Sequence, residues 1–324
     1  MRACLQPEHA IVSFDMSLCI TALSPAGIVL AADSRQTYRN NAGMVRIGTD
    51  NAVKLFKLNE RTGVVIAGRA FFPDSKGMFK NAGWFIEDFR INHLDKEPRL
   101  DSKAIAEKLN DYFINALITP EENRLKTLVE EQVKNEGGTN ITFRERQGVN
   151  IFCDFTKGGK KEERVWHIES ITFVVAGFDA DGVGRAYFVS VPDAPTDTVS
   201  RTTDSGGDLR IGQIDVVGRI IKGWAPEIFN LPIVQKAVNN GVNVRAELDK
   251  LEYIMNWSTM TLQDSINYCV LMTRITESVQ KLSDGTYLTP GGITGVGGAI
   301  DIAKITHGDG FQWIKQKELT VDDD

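Results

Sequence analysis

Asp33, Ser34 and Arg35 set a carboxylate, a hydroxyl and a guanidinium at consecutive positions directly after the apolar run Ile28 to Ala32. Charged groups beside a core are rarely tolerated unless they are paired or working. This cluster is therefore the first place where the chain could do chemistry. Other candidates point less sharply. Gly158-Gly159-Lys160-Lys161 lacks the spacing of a phosphate-binding P-loop and lies between strand patterns, which predicts a solvated hairpin tip. The glycines from Gly291 to Gly298 lead into a strand, whereas a phosphate-cradling loop opens a helix. His167 alternates with Trp166 and Ile168, as a structural histidine does. Cys4, Cys19, Cys153 and Cys269 fit neither a zinc site nor a disulfide scaffold, so buried, reduced thiols are expected.

The elements that must position the cluster read as follows. Ser17 to Leu23 is an apolar, β-branched strand, Ser24-Pro25-Ala26-Gly27 a turn, and Ile28 to Ala32 the returning strand of a hairpin. Gln36 to Asn51 is polar and loop-like. Val53 to Leu58 and Val64 to Gly68 predict a second strand pair around Asn59–Gly63. Helices are expected from Asp74 to about Asn92, from Ser102 to about Leu117, and from Thr119 to about Lys134. Residues 139–170 read as two or three strands; Ile171 to Asp179 and Arg185 to Val191 form another pair. One or two helices are expected between Trp224 and Leu251. Thr261 with Asp264 is a capping-box variant that opens a helix to about Leu282, with Ile266, Val270, Ile275 and Val279 towards the core. Ala299 to Ile305 and Gly310 to Lys315 are the last strands, and the acidic end, Asp322 to Asp324, is expected to be disordered.

Gly27–Arg35, reading G-I-V-L-A-A-D-S-R, together with Ser17 upstream, resembles the start of a mature proteasome β-type subunit, a family of N-terminal-nucleophile hydrolases. The departures over residues 193–258 would fit a divergent bacterial branch of proteasome-related proteins. The likeness covers residues 17–91, 171–191 and 260–315. It implies an α+β fold, a four-layer αββα sandwich in which two antiparallel sheets pack face to face with helices outside. Residues 17–324 would form one domain, with insertions around 92–170 and 193–258. The resemblance puts Ser17 at the nucleophile position, although the family usually has Thr there. Asp33 and Lys54, which lies 14 positions before Gly68, would organise charge around it. The Gly68 N–H would help hold an oxyanion, and Arg69, where small residues often stand, would reshape the mouth of the pocket. The family's G-S-G-S-like turn is not reproduced by Gly212-Gln213 or Gly218-Arg219, so no accessory serine is assigned. Asp284 and Thr294 are weak matches for the family's later Asp and Ser.

A nucleophile of this kind needs a free α-amine as its general base. That amine titrates near about 7.7–8.0, against about 10.4 for lysine. Two routes would free it at Ser17: cleavage after Met16, or translation from Met16 followed by methionine removal, which works well before serine. The second is favoured; the contrary reading is a retained, non-catalytic arm over residues 1–16.

The chain's net charge is −6 over 324 residues, which gives no basic field for nucleic acid or acidic lipid. Residues 1–15 lack the apolar core of a signal peptide, and no apolar run is long enough to span a membrane. A cytoplasmic location follows as the default. The function expected is hydrolysis of peptide bonds in peptides or unfolded protein, inside a homo-oligomeric ring, without metal or cofactor. An ATPase partner is left open. The alternatives are a non-catalytic structural ring subunit and an amidase acting on small molecules.

Overall fold

The computed structural model describes residues 17–39, 44–74, 78–95, 100–192, 200–288, 291 and 294–318. The N-terminal arm and the acidic end both lie outside them. The chain opens with the strands β1 (Leu18–Ser24) and β2 (Gly27–Ala32), every residue of which is buried. Gly27, at φ 140°, closes their turn where a Cβ would come within 2.7 Å of the Ile305 carbonyl oxygen. Only glycine permits that approach. Next come β3 (Gln36–Arg39), β4 (Val45–Thr49), β5 (Leu55–Asn59), β6 (Thr62–Gly68), β7 (Phe71–Pro73) and β8 (Phe79–Asn81). The helices α1 (Ala82–Phe89), α2 (Ser102–Phe113) and α3 (Thr119–Asn135) follow, the first two each running on into a π-helical turn.

The second half holds β9 (Thr139–Phe143), β10 (Asn150–Lys157), β11 (Lys160–His167), β12 (Ile171–Phe178), β13 (Gly184–Val191), β14 (Ser200–Thr202) and β15 (Gly207–Gly212). After them come α4 (Asp215–Lys222), α5 (Pro232–Asn239), α6 (Val244–Leu248), α7 (Leu262–Leu282), β16 (Asp301–Thr306) and β17 (Gly310–Lys315). One antiparallel sheet runs β15-β1-β2-β16-β17 and another β14-β13-β12-β6-β5. A shared core draws Leu23, Leu30, Ile211 and Phe311 from the first and Leu55, Val65, Val174 and Ala186 from the second. Val217, Cys269 and Met272 of α4 and α7 pack on Ile20 and Ala31. Phe85, Phe89, Leu109 and Phe113 of α1 and α2 pack on Phe173 and Val189.

The expected four-layer sandwich of two sheets is corrected. The chain is α+β, but the described strands divide among five sheets rather than two. Residues 139–167 build a three-stranded sheet of their own, whose Cys153 and Phe155 pack against Val129 and Val133 of α3 in a separate small core. The polar stretch read as a loop pairs as β3 and β4, and β7 with β8 forms a further hairpin. That hairpin occupies the start of the helix expected from Asp74. Asn81 sets the true start, its side-chain oxygen accepting the Trp84 N–H at 2.8 Å.

The capping box at Thr261 and Asp264 is present, with the Asp264 N–H donating to Thr261 Oγ1 at 3.2 Å. The buried face of α7 is only partly the one expected: Ile266 and Val270 pack against the core, but Ser265, Tyr268, Cys269, Met272, Thr273 and Thr276 are the buried residues, and Val279 is exposed. The inward hydroxyls donate to carbonyls one turn back, Thr273 to Cys269 at 2.9 Å and Thr276 to Met272 at 2.8 Å. Their polarity is thereby satisfied within the helix. No helix among the described residues is long and apolar enough to cross a membrane.

Candidate active site

The register of β1 on β2 decides where Asp33 goes. Cys19 pairs with Ala32, so Leu18 and Asp33 come next in line. The Asp33 N–H donates to the Leu18 carbonyl at 3.2 Å, and the Leu18 N–H donates back to Asp33 Oδ1 at 2.9 Å. Lys54, just before β5, donates its Nζ to the same Oδ1 at 2.8 Å and also to the Arg35 carbonyl. The other oxygen, Oδ2, accepts the Gly297 N–H at 3.0 Å and the Arg35 N–H at 3.1 Å. Four donors thus hold a carboxylate that is 1% exposed. With its oxygens so engaged, Asp33 is placed to orient its neighbours.

Arg35 is directed elsewhere. Its Nε and Nη2 form a two-pronged pair with Asp50 at 2.7 and 2.9 Å, which raises the guanidinium's pKa and lowers that of the Asp50 carboxyl. A Cβ on Gly297 would sit 2.6 Å from the Arg35 guanidinium carbon. A side chain there would have to displace the guanidinium from its pairing with Asp50.

Ser17 stands immediately before β1, buried to 7% exposure, with its backbone one residue from the Leu18 N–H held by Asp33. It lines a cavity of about 1170 Å³ together with Thr37, Lys54, Gly68, Arg69 and Trp84. That volume exceeds the roughly 300–1,000 Å³ usual for small-molecule sites. Gly68 closes β6 at φ 107°, a conformation suited to glycine. Arg69 donates its N–H across to the Ser170 carbonyl, whereas Ile66 donates to the Lys54 carbonyl. Amides alternate sides along a ladder, so the Gly68 N–H faces the Lys54 side. The structure therefore gathers all four residues singled out from the sequence: Ser17, Lys54 and Gly68 line one cavity, and Asp33 is hydrogen-bonded to Lys54.

Arg69 also lines the cavity, but its charge is spent internally. Its guanidinium donates to the Phe71 carbonyl at 2.9 Å and to Glu121 of α3 at 3.3 Å, and lies 5.0 Å from the Phe72 ring centre. Burial works against the charged form of Glu121. Hydrogen bonds from Arg124 and the charge of Arg69 outweigh it and hold the carboxyl below its usual range. Cys19, close to Lys54 and Asp33, is no competing nucleophile. Burial drives its thiol far above the ordinary range, and its Sγ donates to the Ile66 carbonyl at 3.3 Å. The three described cysteines, Cys19, Cys153 and Cys269, are all buried and unpaired with one another.

Sequence reasoning sets Gly212-Gln213, the turn that ends β15, aside because it does not reproduce the G-S-G-S-like turn. Gly212 pairs with Leu18, and the Gln213 N–H donates to the Ser17 carbonyl at 2.6 Å. A Cβ on Gly212 would lie 1.9 Å from that same carbonyl oxygen, and its φ of 87° disfavours a side chain in any case. The Gly212-Gln213 dipeptide was visible; the strand pairing that brings it to Ser17 was not. Gly212→Ala is expected to push Ser17 out of place and to destabilise the fold by at least about 1–2 kcal/mol, the usual cost of a left-handed non-glycine residue. Urea denaturation measures it, and an unchanged midpoint would contradict the close approach. Gln280 of α7 was missed as well: it accepts the Gly295 and Val296 N–H groups at 3.1 and 3.0 Å and donates to Gln213. The weak matches Asp284 and Thr294 stay apart from this centre. Asp284 is exposed past the end of α7, with its carbonyl accepting the Gly291 N–H, and the Thr294 hydroxyl donates to the Gln280 carbonyl at 3.4 Å.

Among the described residues no group of three or more His, Cys, Asp or Glu is arranged to hold a metal ion. No protein-family model matches the chain, and no curated protein matches it.

Proposed function

We propose that the chain is an N-terminal-nucleophile hydrolase that cleaves peptide bonds, with Ser17 as nucleophile. The observation that carries this reading is the double use of Asp33 Oδ1, which takes both the Leu18 N–H and the Lys54 ammonium at 2.9 and 2.8 Å. It ties a lysine to the backbone next to the one described serine that lines the cavity. In the proposed cycle, Ser17 Oγ attacks the substrate carbonyl while the α-amine of Ser17 takes the hydroxyl proton. The same amine returns the proton to the leaving nitrogen, and water then releases the acyl group. Lys54 stabilises the alkoxide, and the Gly68 peptide faces the developing oxyanion. The amine must be neutral to act, so turnover rises with pH through its titration. An α-amine ordinarily titrates at about 7.7–8.0.

Action on peptides or unfolded protein, within a homo-oligomeric ring in the cytoplasm, belongs to the same proposal and rests on the resemblance at Gly27–Arg35. The test is hydrolysis of an unfolded protein, of short peptide amides and of small non-peptide amides. Cleavage of the first two is expected. Cleavage of the small amides alone would favour the amidase reading, and cleavage of none would leave a structural subunit.

A further inference from the structure

We infer that Gln280, on the last turn of α7, is a positioning residue that locks Ser17 to the loop carrying Asp33's partner Gly297. The inference rests on the nucleophile reading proposed above. Its basis is a chain of hydrogen bonds that reaches the site from behind. Gln280 Oε1 accepts two backbone N–H groups, from Gly295 at 3.1 Å and Val296 at 3.0 Å. Two fixed donors settle which end of the carboxamide is oxygen. The Nε2 must then be the end that donates to Gln213 Oε1, at 2.5 Å. Gln213 in turn donates its backbone N–H to the Ser17 carbonyl at 2.6 Å, and Gly297, next to Val296, donates to Asp33 Oδ2 at 3.0 Å. One side chain thus braces both residues that flank the nucleophile's environment, Gln213 on Ser17 and Gly297 on Asp33.

A side chain with this connectivity fixes geometry without touching substrate. Misplacing a nucleophile by about 1 Å costs on the order of 100-fold in rate, so the brace is expected to act on kcat and to leave KM alone. The carboxamide ends also make the role separable from helix packing. Gln280→Glu keeps an acceptor for Gly295 and Val296, and it can accept from Gln213 once that amide turns over. Gln280→Met has nearly the same shape and offers nothing to either arm.

The experiment compares wild type, Gln280→Met and Gln280→Glu in turnover of a short peptide amide, with thermal unfolding and amide hydrogen exchange of residues 294–297 measured on each. The expected result is a fall of about 10- to 100-fold in kcat for Gln280→Met at unchanged KM, faster exchange in that loop, and substantial recovery in Gln280→Glu. Wild-type turnover in a folded Gln280→Met variant would overturn the inference, as would equal losses in Met and Glu variants with the loop still protected. If wild type itself shows no turnover that depends on Ser17, the function proposed above fails instead. Loop exchange still reports on the brace in that case, and unchanged exchange in Gln280→Met would refute it.

Discussion

Ser17→Ala is expected to abolish peptide hydrolysis while leaving the fold intact. The substitution removes one oxygen and keeps every backbone contact at this position, including the Ser17 carbonyl that accepts from Gln213 and the neighbouring Leu18 N–H held by Asp33. No other described serine on this side of the molecule lines the cavity, and the nearby Cys19 thiol is buried and held protonated. Loss of the nucleophile in a hydrolase whose members act as a unit lowers kcat by roughly 10⁴- to 10⁶-fold. Turnover of a peptide amide measures the first effect and the melting temperature the second. A folded Ser17→Ala variant with full turnover would exclude both hydrolytic readings, peptidase and amidase alike.

The second large effect lies at Lys54. Its side chain is 7% exposed and that of Asp33 is fully buried, so the pair is shielded from solvent screening. Removing one partner leaves the other charge buried without compensation, which costs about 3–5 kcal/mol. Lys54→Met keeps the length of the stem and deletes only the ammonium, leaving Asp33 Oδ1 with the Leu18 N–H alone. The expected outcome is a loss of that size in urea denaturation, together with loss of turnover. Replacing Asp33 and Lys54 together by apolar residues should restore much of the stability and none of the activity, because the unpaired charge is gone along with the site. A Lys54→Met variant that lost less than about 1 kcal/mol would show the pair to be far better hydrated than its burial implies.

The strands that carry these residues are legible in the amino-acid sequence. The hairpin through Gly27 can be read because a fully buried strand pair around a Pro-Ala-Gly turn leaves few other arrangements. Asp33, Lys54 and Gly68 are singled out through the resemblance at Gly27–Arg35, and each stands at or next to a strand end, after Ala32, before Leu55 and at the close of β6. What stays hidden depends on pairings distant in sequence. Gly212 and Gln213 look like any turn until β15 is laid on β1, and Gln280 is an ordinary helix glutamine until residues 294–297 pass over it. Polarity misleads in two places. Gln36 to Asn51 is polar because β3 and β4 lie on the surface, where Arg46 and Ile47 are exposed, yet the stretch still pairs. The inward face of α7 is rich in Ser and Thr, so a search for apolar spacing chooses Val279 on the wrong side. The sheet count fails for a related reason: strands over residues 139–167 are visible, but not that they close their own core on α3 rather than extend a larger sheet.

Everything proposed for the site depends on the hydroxyl and a free amino group belonging to the same residue. Intact-mass measurement of the protein isolated from its native source, before and after reaction with an acylating electrophile, tests this directly. A chain beginning at Ser17, gaining one acyl group that maps to that residue, is the result predicted. A native chain that keeps residues 1–16 and shows undiminished turnover would contradict it.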